Sequence, residues 1–191
     1  MKNFRKSLAL LSVLALFSLY LQLNGCGSDD VVNPPNPNEQ ELITTLLINL
    51  TDSVTLAQTS FQFDDPDGEG GNPPSRFDTI LIEANRTYFA QIILLNKSVT
   101  PVDTISNEVR EEGADHQFFF TTTDVSTVIS YADADINGNP IGLETIWRDG
   151  SASNGSIQVV LKHQPGTKAP APGNPAIGET DVQIDFITRV Q

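Results

Sequence analysis

Cysteine occurs once in these 191 residues, at Cys26, so no disulfide forms within the chain and no paired-cysteine metal or redox motif exists. Histidine occurs twice, at His116 and His163. Basic residues are scarce: 11 Lys and Arg face 24 Asp and Glu, a net charge of −13 at pH 7. A chain this acidic does not follow a phosphate backbone by charge, which argues against nucleic acid as a partner. The phosphate loop, the dinucleotide fingerprint and the G-x-S-x-G nucleophile elbow are all missing. With no marked nucleophile, the sequence reads as a non-enzymatic protein. One apolar run of any length is present, Leu8 to Leu21, and it falls short of the ~20 residues a membrane-spanning helix needs.

What surrounds that run gives it a meaning. Lys2, Arg5 and Lys6 precede it, and Leu23-Asn24-Gly25-Cys26 follows, the layout of a secretory signal peptide. Leu-x-Gly-Cys resembles the lipobox of bacterial lipoproteins. Residues 1–25 are then a signal peptide, and Cys26 becomes the fatty-acylated first residue of the mature protein. Loss of the three basic residues brings the mature charge to about −16, so the acyl chains rather than lipid headgroups supply the membrane attachment. Residues 26–40, with Pro34, Pro35 and Pro37 in a polar acidic background, are expected to be a disordered tether. Asp29 and Asp30 resemble the short acidic export signals of Bacteroidota lipoproteins, which leaves the periplasmic and the cell-surface face of the outer membrane both open. The domain proper is residues 41–191.

From Leu42 onward, short runs of Val, Ile, Thr and Phe are broken by turn residues, with no sustained helical period. Strands are expected at Leu42–Leu50, Thr59–Phe63, Thr79–Glu83, Thr87–Leu95, Gln117–Thr122, Thr127–Tyr131, Glu144–Arg148, Ser156–His163 and Asp181–Val190. In the last of these Val182, Ile184, Phe186, Thr188 and Val190 share one face, as in a half-buried antiparallel strand. Thr104 to Gly113 is the one helix candidate, with Ser106 as a cap. Residues 164–180, rich in Pro and Gly, read as a long surface loop. The fold class that follows is all-β: an antiparallel two-sheet sandwich, immunoglobulin-like or a related Greek key, with a barrel as the alternative.

Two constellations point to metals. Residues 133–144, DADINGNPIGLE, match the D-x-D-x-N-G-x5-E pattern of a calcium-binding loop. Asp133, Asp135 and Asn137 would offer side-chain oxygens, Asn139 a carbonyl and Glu144 a closing carboxylate, a set suited to a hard cation. Gly138 would permit the sharp turn, while Pro140 stiffens the return. Strand-like flanks and the Asn137-Gly138 pair read equally as a hairpin. The second constellation is the two histidines, each at a strand end. If those ends meet, His116 and His163 with Asp115 or Glu112 form a set for zinc or copper, which imidazole suits.

The runs Glu111–Phe120 (EEGADHQFFF) and Tyr131–Leu143 (YADADINGNPIGL), with His163-Gln164-Pro165 and Gly178-Glu179-Thr180-Asp181, resemble a family of small Bacteroidota lipoproteins sometimes labelled "type 1 periplasmic binding fold superfamily". The label implies two α/β lobes, more helix than this chain offers, so the strand pattern governs the fold expectation. Such lipoproteins look like companions of TonB-dependent outer-membrane receptors. The resemblance therefore implies a role in uptake or capture of a metal or small nutrient, and it implies no catalytic residues. A structural or adhesion module of the envelope, stiffened by calcium, is the alternative function.

Overall fold

The computed structural model describes residues 42–68 and 71–191. The signal peptide, Cys26, the acidic pair Asp29 and Asp30, and the tether lie outside the described residues. The described chain forms ten strands and one helix: β1 Thr45–Asp52, β2 Gln58–Asp64, β3 Arg76–Phe77, β4 Ile80–Ile82, β5 Thr87–Leu95, α1 Ile105–Glu111, β6 His116–Thr123, β7 Thr127–Tyr131, β8 Glu144–Asp149, β9 Ser153–His163 and β10 Glu179–Val190. They build two sheets, in the orders β3-β2-β1-β5-β8-β7 and β4-β10-β9-β6. The all-β sandwich is therefore observed, and among the described residues there is no sign of two α/β lobes.

Alternation decides which face each strand buries. In β1, Leu46, Ile48 and Leu50 point inward, and their cross-strand partners on β5 are Leu94, Ile92 and Ala90. The second sheet answers with Ile157, Val159 and Leu161 of β9 opposite Phe186, Ile184 and Val182 of β10. Trp147, Phe118 and Leu143, all fully buried, fill the space between the two layers. A residue of this kind gains roughly 1.5–3 kcal/mol from burial, so this layer is the main source of stability in a fold without disulfides.

One edge departs from the antiparallel expectation. β4 runs parallel to β10, with Ile80 opposite Thr188 and Ile82 opposite Val190. The chain leaves the first sheet at β3 and joins the second within three residues, so it arrives already pointing along β10. The helix is shorter than expected: Thr104 takes the cap position without a side-chain bond, and Ser106 is buried inside the first turn. Ile105 and Val109 tie α1 to the core.

The β9–β10 connection, residues 164–178, is only partly a solvated loop. Gln164 is buried and its amide donates to the carbonyls of Asn174 (2.8 Å) and Ile177 (2.9 Å). Gln117 on β6 donates to the carbonyl of Pro172 (2.9 Å). Gly178 closes the segment at φ +78°, with no room for a Cβ against the carbonyl of His163. The loop is thus fastened over the ends of β6 and β9, where the histidines lie.

Candidate metal centre

β6 starts at His116 and β9 ends at His163, and the two are direct antiparallel partners. Both lie on the inner face, two pairs beyond Phe118 and Leu161, and both are buried. Their imidazoles stack with centroids 4.5 Å apart and planes 9° from parallel. The sequence placed each histidine at a strand end; pairing brings those ends together.

The third group is Glu112, not Asp115. Glu112 is the C-cap of α1, and the turn from there to β6 is closed by the Asp115 N–H donating to the Glu112 carbonyl (2.8 Å). That turn sets the Glu112 Oε2 4.0 Å from His116 Nδ1, with the Glu112 carbonyl oxygen 3.3 Å from the same nitrogen. One atom from each of Glu112, His116 and His163 lies within 4.8 Å of the others, the single such trio among the described residues. Asp115 lies in the turn before β6 and is not one of the three. It holds the 164–178 loop instead: its carboxylate accepts from the Gly166 N–H (3.1 Å) and its carbonyl from the Gln164 N–H (2.6 Å). The i, i+4 spacing of Glu112 and His116 was the available signal for this choice.

A fourth group was not foreseen. Asp181 on β10 sets its Oδ2 3.8 Å from His116 Nε2, with its side chain only 1% exposed. That oxygen has no hydrogen-bond partner among the described residues. Glu112, by contrast, is 56% exposed at its side chain and marks the route from solvent.

Burial, reinforced by the neighbouring His163, pushes the His116 imidazole down to about 4. Burial pushes the Asp181 carboxyl up to about 6. The two act oppositely on stability. A depressed imidazole makes the unfolded chain the better proton binder, so its contribution is lost as pH falls from 6.5 towards 4. A raised carboxyl contributes most below 3.8 and loses that contribution as pH rises through about 6. Relative to a His116→Asn variant, native metal-free protein should therefore lose stability as pH falls across the imidazole window. Urea midpoints at several pH values read this difference, and a constant difference would contradict it.

Two imidazoles and a carboxylate are the donors of a zinc site that keeps an open position. An ion held at ~2.0–2.1 Å would need to lie near the plane of each ring, so the stacked imidazoles would have to splay to share one.

The calcium-like loop is wired differently. It joins the paired strands β7 and β8, and Gly138 sits at its tip with φ +81°, a turn that both the calcium-loop and the hairpin readings need. Asp133 accepts from the N–H groups of Gly142 (2.7 Å) and Glu144 (3.0 Å). Asp135 Oδ1 accepts from Asn137 (2.8 Å) and Asn139 (2.9 Å), and its Oδ2 from Lys168 Nζ (2.8 Å). The Asn139 carbonyl accepts from the Asp135 N–H (2.8 Å), and the Glu144 carboxylate faces Arg110 (3.5 Å). Lys168 and Asp135 are 3% and 1% exposed at their side chains. Burial alone would raise the Asp135 carboxyl, yet Lys168 and the two N–H donors hold it below the usual carboxylate range. The Lys168 ammonium therefore lies directly against the Asp135 carboxylate.

No family model, curated protein or solved structure matches this chain. The site's chemistry must carry the functional reading.

Proposed function

We propose that the chain is a lipid-anchored, non-enzymatic protein of the bacterial outer membrane that captures a transition-metal ion through Glu112, His116 and His163. The observation that carries this reading is the trio of donor atoms within 4.8 Å, assembled by cross-strand pairing of the only two histidines in the chain. Zinc is the ion proposed: imidazole with a carboxylate is a borderline set that suits zinc and copper alike, and copper(II) binds such a set at least as tightly.

The lipobox-like segment before Cys26 and the proline-rich tether supply the rest of the mechanism. The tether expected from the sequence would hold the metal-binding domain at high local concentration beside a membrane partner, and a TonB-dependent receptor is the partner that the family resemblance suggests. Glu112, exposed beside two buried imidazoles, provides the first contact for an incoming ion.

Calorimetric titration of zinc into the metal-free lipoprotein tests the reading. One site per chain is expected for the native protein and none for the His116→Ala, His163→Ala double variant. Equal binding by both proteins would refute it.

A further inference from the structure

Asp181 should not face the histidines at all. On β10 the even-numbered residues Ile184, Phe186, Thr188 and Val190 are buried, while Gln183, Asp185, Ile187 and Arg189 are exposed. Strict alternation would send Asp181 to solvent with Gln183 and Asp185. A β-bulge intervenes. Thr180 pairs with Lys162 and Val182 pairs with Leu161, the next residue along β9, so Asp181 is an extra residue without a partner. Bulges of this kind re-aim a side chain and are common beside functional sites. Here the effect is to bury a carboxylate to 1% exposure and set it 3.8 Å from His116 Nε2.

As a structural element the arrangement is a poor one. The Asp181 Oδ2 is buried and accepts no hydrogen bond among the described residues, and such groups lower the stability of a fold. The chain spends a strand irregularity and a buried carboxylate at the one place where two imidazoles meet. Costs of that sort concentrate at functional sites.

We infer that Asp181 is the positioning residue of the metal centre: it accepts a hydrogen bond from His116 Nε2–H and so presents the Nδ1 lone pair to an ion shared with His163 and Glu112. The inference rests on the metal-capture reading and deepens it. The two ring nitrogens face different partners. In the metal-free ring Nδ1 lies 3.3 Å from the Glu112 carbonyl, a contact that places the proton on Nδ1, and 4.0 Å from the Glu112 carboxylate, while Nε2 lies 3.8 Å from Asp181. An ion at Nδ1 needs that nitrogen free of hydrogen, and the proton must then sit on Nε2, where an anionic acceptor waits. A carboxylate behind a metal-bound imidazole fixes the ring's orientation and raises its basicity. The separation of 3.8 Å exceeds hydrogen-bond range, so the bond proposed here requires the imidazole to turn towards Asp181 when an ion binds. Only first-row ions that prize imidazole benefit, so Asp181 favours zinc over calcium or magnesium.

The test uses full-length lipoprotein in detergent at pH 8, as native chain, Asp181→Asn and Asp185→Asn, the last an exposed control on the same strand. Zinc calorimetry, the visible spectrum of the cobalt(II)-loaded protein and the metal-free melting temperature are read on each. Asp181→Asn is expected to weaken zinc binding by about 10–100-fold at unchanged stoichiometry. It should shift the cobalt spectrum and raise the metal-free melting temperature, while Asp185→Asn leaves zinc affinity and spectrum at native values. A residue with a merely structural role would lower the melting temperature and leave the cobalt spectrum alone. Native zinc affinity in Asp181→Asn, or a fall in its metal-free melting temperature, overturns the inference while leaving metal capture standing. Absence of zinc binding by the native chain overturns both.

Discussion

Replacing Asp135 with Ala should lower the unfolding free energy by about 3–5 kcal/mol, the cost of stripping one partner from a buried ion pair. The figure applies because Lys168 Nζ is buried against Asp135 Oδ2 at 2.8 Å, with side chains 3% and 1% exposed. Once the carboxylate is gone, the ammonium keeps the Gly113 carbonyl (2.6 Å) as acceptor but has no counter-charge beside it. The same substitution also frees the N–H groups of Asn137, exposed to water, and of the half-buried Asn139, and the second adds to the loss. The double replacement Asp135→Asn with Lys168→Met should recover most of the loss, since an apolar isostere removes the stranded charge. Urea unfolding measures all three proteins. Millimolar calcium should leave the native midpoint unchanged, because Lys168 already neutralises Asp135. A calcium-dependent rise that Asp135→Ala abolishes would instead establish the loop as a cation site.

Zinc should stabilise the native chain and leave the double histidine variant untouched. At free zinc ~1,000-fold above the dissociation constant, binding to the folded state alone adds about 4.1 kcal/mol. The quantity to compare is the zinc-dependent increment in each protein. His116 and His163 are buried, so their removal also changes the metal-free stability. In the native chain the increment should appear as a higher melting temperature that climbs with zinc concentration. In the His116→Ala, His163→Ala variant it should vanish at the same concentrations. An increment of equal size in both would place the zinc elsewhere on this acidic surface.

How far the residues announced this arrangement depended on how local the signal was. Thr87–Leu95 and Thr127–Tyr131 were expected and found with those bounds, because an uninterrupted pattern of Val, Ile, Thr and aromatic residues ran between turn residues. β3 was missed: Arg76 and Phe77 form a two-residue strand behind Pro73 and Pro74, too short to show a period. β9 begins at Ser153, ahead of the expected Ser156, since Ser-Asn-Gly looks like a turn. Gly155 belongs in that strand because the Thr123 carbonyl leaves no room there for a Cβ.

The site followed the same rule. Both histidines were visible as strand ends, but their register is a long-range fact that strand lengths do not contain. Choosing Glu112 over Asp115 needed the turn after α1. Asp181 was hidden because period-2 reasoning assigns it to solvent, and only the bulge at Thr180/Val182 reverses that. Lys168 was equally out of reach: its partner Asp135 is 33 residues away, across the loop that the sequence left as a surface excursion.

The central claim is that an ion is held by the two imidazoles. X-ray absorption at the zinc edge, on the native protein loaded with one equivalent, asks this of the metal itself. Two imidazole nitrogens at ~2.0–2.1 Å beside carboxylate oxygen at ~2.0–2.2 Å are expected. A shell of oxygen scatterers alone, or zinc that washes away before measurement, would contradict the account.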